Sequence, residues 1–231
     1  MATPTNFLEM CQKAHELSGM SSGSRPSAVT GQTGYAAKIV ENVNDAWLKL
    51  QGLYAAWRFM RVEITKTLTI STSLFDITAA PFSLTNFGSW DKTSFVLNTA
   101  GETDKSRVTW TEYDEFKQLY ELSTFVSGRP TRWTQTTENK IQFNALTDKA
   151  YSFSARYTRT PSSMAANADV PTGLPVRFYM LIVYDALQTI AIDRGSNERL
   201  AEANFKSADM LGKLITAELE LPPITKPAPL C

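Results

Sequence analysis

The chain has 231 residues, 43% hydrophobic and 20% charged, which is typical of one large folded domain or two small ones. Its 23 basic and 23 acidic residues give a formal net charge of zero, which disfavours a free-standing nucleic-acid-binding protein, because such proteins are usually basic. No apolar run approaches the ~18 residues of a membrane-spanning helix, and residues 1–8 lack a signal-peptide pattern. Two cysteines at opposite ends, Cys11 and Cys231, favour a reducing compartment over a disulfide framework.

The N-terminal quarter predicts a short helix followed by a long one. Asn6 and Glu9 have the spacing of a capping box, and apolar residues then recur with helical period up to Gly19. Residues 20–28 are rich in Ser and Gly and predict a loop. From Thr33 to Arg61 apolar residues recur every three or four positions without an intervening Pro, which predicts one long amphipathic helix.

After Trp57 the apolar period changes to two, which is typical of β-strands. The clearest strand covers Tyr151–Tyr157, where apolar and polar residues alternate, and Tyr113–Leu122 predicts a helix within the β region. Strands over 131–137 and 140–144 would form a hairpin across Glu138 and Asn139. This pattern favours a small sandwich or barrel. The other predicted strands lie at 62–71, 73–77, 93–97 and 107–110.

Helical patterns return at Pro175, a residue that is favourable at the first position of a helix. Residues 176–192 are apolar nearly all round, which predicts the central helix of a bundle. Ser196 is a candidate N-cap for the last helix, and Pro222 and Pro223 end it.

This order of elements predicts an α+β fold. We expect a bundle of about four helices, an inserted, mostly β domain of sandwich or barrel type, and an extended Pro-rich C-terminal tail. The predicted boundaries are 1–61 and 166–221 for the two halves of the helical part, 62–165 for the β domain and 222–231 for the tail. The expected structural core of the helical part consists of Val43, Trp47, Leu50, Tyr54, Trp57, Tyr179, Ile182 and Val183.

Patterns that resemble catalytic or metal sites are weak. Residues 19–23 match a G-x-S-x-G nucleophile elbow, but a predicted helix precedes them and the only histidine, His15, lies upstream. Cys11 and His15 are four residues apart on one helix face, yet zinc sites need three or four protein ligands. The alternative for this pair is a packed Cys11 and a partly exposed His15, and the alternative for residues 19–23 is a flexible loop. We predict no catalytic site, no metal site and no cofactor.

Two groups of charged residues are open to more than one interpretation. Glu112, Asp114 and Glu115 open a predicted helix, where the helix dipole favours acidic side chains, so a solvated surface is favoured over acid–base catalysis. Arg58 and Arg61 flank the end of the long helix, and Arg156 and Arg159 flank a strand. These four arginines either contact phosphate, as in a DNA channel, or form salt bridges.

Several stretches together resemble the head-to-tail adaptor, or connector, proteins of tailed bacteriophages. The stretches are Leu8–Lys13, Val29–Gly34 leading into Ile39–Trp47, Trp57–Arg61, Gly128–Pro130, the strand Tyr151–Tyr157 followed by Pro161, Asp169–Pro171, and Leu174–Pro175. One departure is that residues 144–148 stand where the family often has a Pro-Pro-Asp-like turn.

The resemblance implies a structural virion protein, made in the host cytoplasm and located in the neck between portal and tail. Such adaptors form a homo-oligomeric ring, typically a dodecamer, beneath the portal. The ring extends the DNA channel without specific DNA binding and provides the platform for tail, nozzle or tail-tube proteins; no membrane is involved. The alternatives are a tail-tube terminator or other neck ring protein, a binding module, and an enzyme of unrecognised type.

The C-terminal segment after residue 220 contains four prolines, which favour an extended, polyproline-like path. Disorder is the alternative, as at many chain ends. We predict that the segment docks on the portal protein. The predicted docking residues are Leu221, Pro222, Pro223, Ile224 and Leu230.

Overall fold

The computed structural model describes residues 3–19, 25–55, 57–99, 101–120 and 125–219. The chain belongs to the mixed α+β class and divides into two compact units. The helical unit comprises residues 1–60 and 161–231, and the β unit comprises residues 61–160, where the sequence suggested 62–165. The β unit is thus inserted, along the chain, between the two segments of the helical unit.

The described residues form five α-helices, four in the helical unit and one in the β unit. They are α1 (Phe7–Ser18), α2 (Gly34–Gly52), α3 (Tyr113–Tyr120, in the β unit), α4 (Tyr179–Asp193) and α5 (Asn197–Glu218). Helix α4 contacts α1, α2 and α5, as expected for a helix that is apolar nearly all round. The described residues of this unit also form two single-turn 3-10 helices, Arg58–Met60 and Val176–Phe178. No helix in the described ranges is long and apolar enough to cross a membrane.

Both ends of α1 are capped. The side chain of Asn6 accepts a hydrogen bond from the Glu9 amide at 2.9 Å, as the capping-box spacing predicts. At the other end Gly19 adopts a left-handed conformation with φ of 69°, and the Arg199 guanidinium donates to the Leu17 carbonyl at 2.6 Å. The start of α5 therefore satisfies a carbonyl group that the end of α1 would otherwise leave without a partner.

The predicted long helix, Thr33 to Arg61, is too long, because α2 ends at Gly52. Gly52 has low helix propensity, and the indole N–H of Trp57 donates to the Leu50 carbonyl at 2.9 Å, which closes the last turn from outside the helix. Tyr54 therefore lies beyond the apolar stripe and is 39% exposed, so its assignment to the core is wrong. Its ring instead meets the edge of Trp57, with centroids 5.0 Å apart.

The other seven expected core residues are buried in the hydrophobic core of the helical unit. They are Val43, Trp47, Leu50, Trp57, Tyr179, Ile182 and Val183. An aromatic stack runs through this core, because Phe59 lies 5.3 Å from Trp57 and 6.1 Å from Trp47 between ring centroids.

The β unit contains three sheets built from eleven described strands. A five-stranded antiparallel sheet has the order β1-β11-β4-β5, with β3 also paired to β11. A four-stranded sheet has the order β2-β9-β8-β6, and β7 and β10 form a parallel pair. The strands are β1 Arg61–Thr67, β2 Leu74–Phe75, β3 Phe87–Trp90, β4 Val96–Thr99, β5 Ser106–Arg107, β6 Thr109–Trp110, β7 Ser127–Gly128, β8 Arg132–Gln135, β9 Ile141–Phe143, β10 Leu146–Thr147 and β11 Tyr151–Arg159.

The two larger sheets share one aromatic core. Phe95, which precedes β4, stacks on Trp133 of β8 with centroids 3.5 Å apart, and Phe143 of β9 lies 6.1 Å from Phe153 of β11. Side chains of both sheets therefore fill the same interior, which is the arrangement of a sandwich. The predicted hairpin is confirmed, because β8 and β9 pair antiparallel with Trp133 opposite Phe143.

The chain enters and leaves the β unit through neighbouring positions of one ladder. Strand β1 begins the unit and pairs antiparallel with β11, which ends it, in a register that sets Arg61 opposite Thr158. Residues opposite each other in such a ladder lie about 5 Å apart between Cα atoms. The first residue of the β unit, Arg61, therefore lies close to Thr158, near the unit's last residue.

The first prediction concerns the core of the helical unit. Replacing Trp47, which is 1% exposed, with alanine should lower the free energy of unfolding by about 3–5 kcal/mol, because it leaves a large cavity. Tyr54→Ala is the matched control and should cost less than about 1 kcal/mol, because most of the contacts it removes are at the surface. Urea denaturation followed by circular dichroism measures both; equal losses would contradict the account.

The second prediction concerns the end of α1. A Cβ atom at Gly19 would lie 1.9 Å from the Arg199 guanidinium, whereas a Cβ atom at Gly195, which also has positive φ, meets nothing within 4 Å. Both alanine variants should lower the free energy of unfolding by about 1–2 kcal/mol, because alanine is strained in the left-handed backbone conformation. Gly19→Ala should cost roughly 1 kcal/mol more, because Arg199 must release the Leu17 carbonyl. Unfolding curves that coincide for the two variants would refute that role of Arg199.

Candidate functional site

Cys11 is packed in the core on the buried face of α1, as expected, whereas His15, which the sequence suggested would be partly exposed, is buried as well. Burial raises the pKa of the Cys11 thiol to about 12, which disfavours the thiolate that binds metals. Across the described ranges, no group of three or more His, Cys, Asp or Glu side chains is placed to hold a metal ion.

The other two catalytic patterns are placed at helix ends. Gly19, the first residue of the G-x-S-x-G match, is the C-cap of α1. The match therefore follows a helix, whereas a nucleophile elbow follows a strand. Residues 20–23 lie outside the described residues. Asp114 and Glu115 occupy the first turn of α3, and Glu112 directly precedes the helix. All three acidic side chains are exposed, as expected for residues that complement the helix dipole.

Arginines singled out in the sequence lie beside acidic side chains. Arg58 lies 3.8 Å from the carboxylate of Glu218, and Arg156 lies 2.9 Å from that of Asp91. Burial alone would raise the pKa of Asp91, but hydrogen bonds from Thr93 and the charges of Arg156 and Arg61 lower it overall. Arg61 therefore acts on the same carboxylate as Arg156. Arg159 is the last residue of β11, in the same sheet.

The portal-docking residues predicted from the sequence, Leu221, Pro222, Pro223, Ile224 and Leu230, lie outside the described residues. The described chain ends at Leu219, immediately after α5.

A groove of about 280 Å³ lies between α2, α4 and α5. Its apolar lining includes Leu50 and Leu53 of the α2 end, Leu181 of α4 and Leu211 of α5. Leu53 is 44% exposed although it is a large aliphatic residue. A second hollow of about 220 Å³, lined by α2 and α4, shares Lys49, Asp185 and Gln188 with the first and continues it along the two helices.

Asp185 is the charged centre of this groove. Its carboxylate accepts hydrogen bonds from the Ser207 hydroxyl at 2.5 Å and from the Gln188 amide at 3.3 Å. The ammonium of Lys49 lies 3.5 Å from the other carboxylate oxygen, but the Lys49 side chain is 64% exposed, so solvent weakens this pair. The Asp185 side chain is only 15% exposed.

Asp185 was not among the sequence-predicted site residues, although the sequence contains a signal for it. It is the one charged residue among residues 179–192, which are otherwise mostly apolar. A charge in a buried helix costs free energy unless it is paired, so its presence indicates a polar partner on a neighbouring element. The partner, Ser207, is buried on α5 and cannot be identified without the α4–α5 register.

A comparison with protein families matches the chain to one of them. The family model described as SU10 adaptor protein matches residues 5–222. No match was found among curated proteins.

The matched range includes both units and extends to the start of the Pro-rich C-terminal segment. It also includes every stretch on which the resemblance to phage adaptors was noted. The chain therefore belongs to the SU10 adaptor protein family, a family of phage head-to-tail adaptors.

Proposed function

We propose that the chain forms a ring, a dodecamer, that sits beneath the portal in the virion neck and serves as the attachment platform for the tail. The observation that carries this proposal is the adaptor family match over residues 5–222. Its role is structural and requires no catalytic residue or cofactor. The portal protein and the tail, nozzle or tail-tube proteins are its proposed partners.

The charges of the chain support a passage through which DNA slides. Each phosphate contact adds affinity, so a channel wall rich in free cations would hold DNA. The formal net charge of this chain is zero, and Arg58, Arg61 and Arg156 lie near acidic side chains that offset their charge. We propose that packaged DNA passes through the ring without specific binding.

The β unit is our candidate for contacts with the tail or with neighbouring subunits. It has its own aromatic core, and its first and last strands pair with each other. These two features support its folding as a separate domain. The helical unit would then supply the rigid body of each ring subunit.

The C-terminal segment is our candidate for portal docking. The pre-set dihedral angles of its prolines lower the entropy lost when an extended segment becomes ordered on a partner. Leu221, Ile224 and Leu230 offer apolar side chains for pockets on the portal.

The third prediction concerns this segment. Deleting residues 222–231 should leave ring formation unchanged and weaken binding to the portal protein at least tenfold, because the ring body lies in the described helices. Native mass spectrometry measures ring formation, and biolayer interferometry on immobilised portal measures binding. A variant with the same composition in scrambled order is the control for length. Undiminished portal binding by the deletion variant would refute the docking role.

The fourth prediction concerns the β unit. Because Arg61 and Thr158 are ladder partners, a short Gly/Ser linker can replace residues 62–157 without separating the two segments of the helical unit. The variant should keep its helical circular dichroism and portal binding but fail to complement tail attachment in an adaptor-deficient phage. Tail attachment by this variant would contradict the proposal. If the unmodified protein attached to tails without binding the portal, the result would favour a tail-tube terminator.

A further inference from the structure

We propose that the free edge of β1 is a docking site for an extended segment of a tail-side protein, which adds to the five-stranded sheet as one more strand. This inference rests on the proposed role of the β unit in tail attachment, and it names the atoms that make the contact. The segment would match the length of β1, which is seven residues.

The strand order leaves one side of β1 open. The strand lies at the edge of the five-stranded sheet and pairs with β11 and with no other described strand. Its residues Glu63, Thr65 and Thr67 are exposed. An open strand edge presents a row of N–H and C=O groups with which another extended chain can pair.

The register of the β1–β11 ladder identifies the backbone groups that face outward. The amide of Leu68, the residue after β1, donates to the Tyr151 carbonyl opposite it at 2.9 Å. Hydrogen-bonded pairs recur at every second residue of an antiparallel ladder, so the residues two, four and six positions before Leu68 also bond to β11. The N–H and C=O groups of Glu63, Thr65 and Thr67 therefore point away from β11.

Hydrogen bonds on the other side of β11 agree with this alternation. Arg156 lies opposite Glu63 in the ladder. Its carbonyl accepts from the Asp91 amide at 2.9 Å, and its amide donates to the Ser94 hydroxyl at 2.8 Å. The backbone of Arg156 is thus bonded on the side of β11 that faces away from β1, as expected if Glu63 faces outward.

In length, β1 differs from the other edge strands of the β unit. Among the described strands, β2, β5, β6, β7 and β10 have two residues each and β3 has four, whereas β1 has seven. Short edge strands are one of the ways in which proteins prevent unwanted pairing. The β1 strand contains no proline, and its register with β11 is continuous. Its edge is therefore the one in the described β unit that is best suited to pairing.

The side chains of β1 define the segment that fits. Val62 and Ile64 lie on the core face and are only partly buried, at the margin of the aromatic core. Lys66 follows on the same face, whereas Glu63 and Thr65 lie on the outer face. A matching segment alternates apolar and polar residues, covers Val62 and Ile64, and places an acidic residue opposite Lys66.

A second copy of this chain does not supply that segment. Among the described strands, the only other one with at least seven residues is β11, which is paired on both sides. Two copies of β1 would pair about a two-fold axis, which a head-to-tail ring does not contain. Prolines interrupt residues 221–231 so often that no seven consecutive residues there keep every N–H donor. The occupant is therefore a segment of another protein.

Hydrogen exchange at single-residue resolution tests this edge, with purified tails of the same phage as the probe. In the full-length chain alone, the amides of Glu63, Thr65 and Thr67 should exchange at least tenfold faster than those of residues 62, 64 and 66, because only the latter donate to β11. Adding tails should slow the three outward amides at least tenfold and leave the other three unchanged.

A matched pair of variants at one position tests the same contact. Thr65→Pro and Thr65→Val both remove the hydroxyl that lies 3.0 Å from the Ser154 hydroxyl, but only proline removes the outward N–H. Proline is tolerated on an edge strand where the N–H faces solvent, so both variants should keep the wild-type circular dichroism. In co-sedimentation with purified tails, Thr65→Pro should bind at least tenfold more weakly than wild type and Thr65→Val less than threefold more weakly.

Three outcomes would overturn the proposal. The first is equal tail binding by Thr65→Pro and Thr65→Val, and the second is tail binding that leaves the outward amides fast. The third is slow exchange of these amides before tails are added, which would assign the edge to another copy of the chain. If tail attachment still required residues 62–157, the proposed role of the β unit would stand and the edge contact alone would fail. Failure of the unmodified protein to bind tails would overturn both.

Discussion

Helix α4 imposes the constraint on which the rest of the molecule depends, because it presents apolar side chains in nearly every direction. Burying each Leu, Ile or Val is worth about 1.5–3 kcal/mol, and eight residues of α4 are buried. Covering such a helix takes neighbours on several sides, and the chain supplies α1 and α2 from before the β unit and α5 from after it. The segment between α2 and α4 includes the β unit and returns to the helical unit at residue 161.

Hydrogen bonds fix the place of that return. The Gln51 side chain both donates to the Ser162 carbonyl and accepts from the Ser162 amide, each at 3.0 Å. Two further contacts join the returning segment to α2 and to the start of α1: Asn44 accepts from the Met164 amide at 3.0 Å, and the Asp169 carbonyl accepts from the Phe7 amide at 2.8 Å. The pairing of β1 with β11 keeps the first and last strands of the inserted unit together.

The same packing creates the groove. A carboxylate on an otherwise apolar helix needs donors, and Ser207 and Gln188 supply them from within the α4–α5 pair. The apolar floor of the groove and its single acidic group are therefore by-products of the helical core.

Sequence periodicity identified the elements whose side chains alternate between core and solvent. Strand β11, the β8–β9 hairpin and the helices α1, α4 and α5 follow from their spacing. The end of α2 does not, because it depends on the Trp57 indole reaching the Leu50 carbonyl from a following turn. Strand β3 does not follow from spacing either, because its sequence Phe-Gly-Ser-Trp is short and contains a glycine. Gly88 is required there by close packing, since a Cβ atom would lie 2.8 Å from the Thr158 carbonyl oxygen. The parallel β6–β8 and β7–β10 pairs, and the meeting of Asp185 with Ser207, depend on tertiary register that no local pattern encodes.

The central claim is that this chain is the ring that joins portal to tail, and electron cryomicroscopy tests it most directly. Purified full-length protein would be mixed with the portal protein of the same phage and imaged without imposed symmetry. The account predicts a closed ring of this chain on the tail-side face of the portal, with one α4-centred helical unit per subunit and a continuous central channel. A portal that stays bare while the chain forms rings on tail tubes would contradict it.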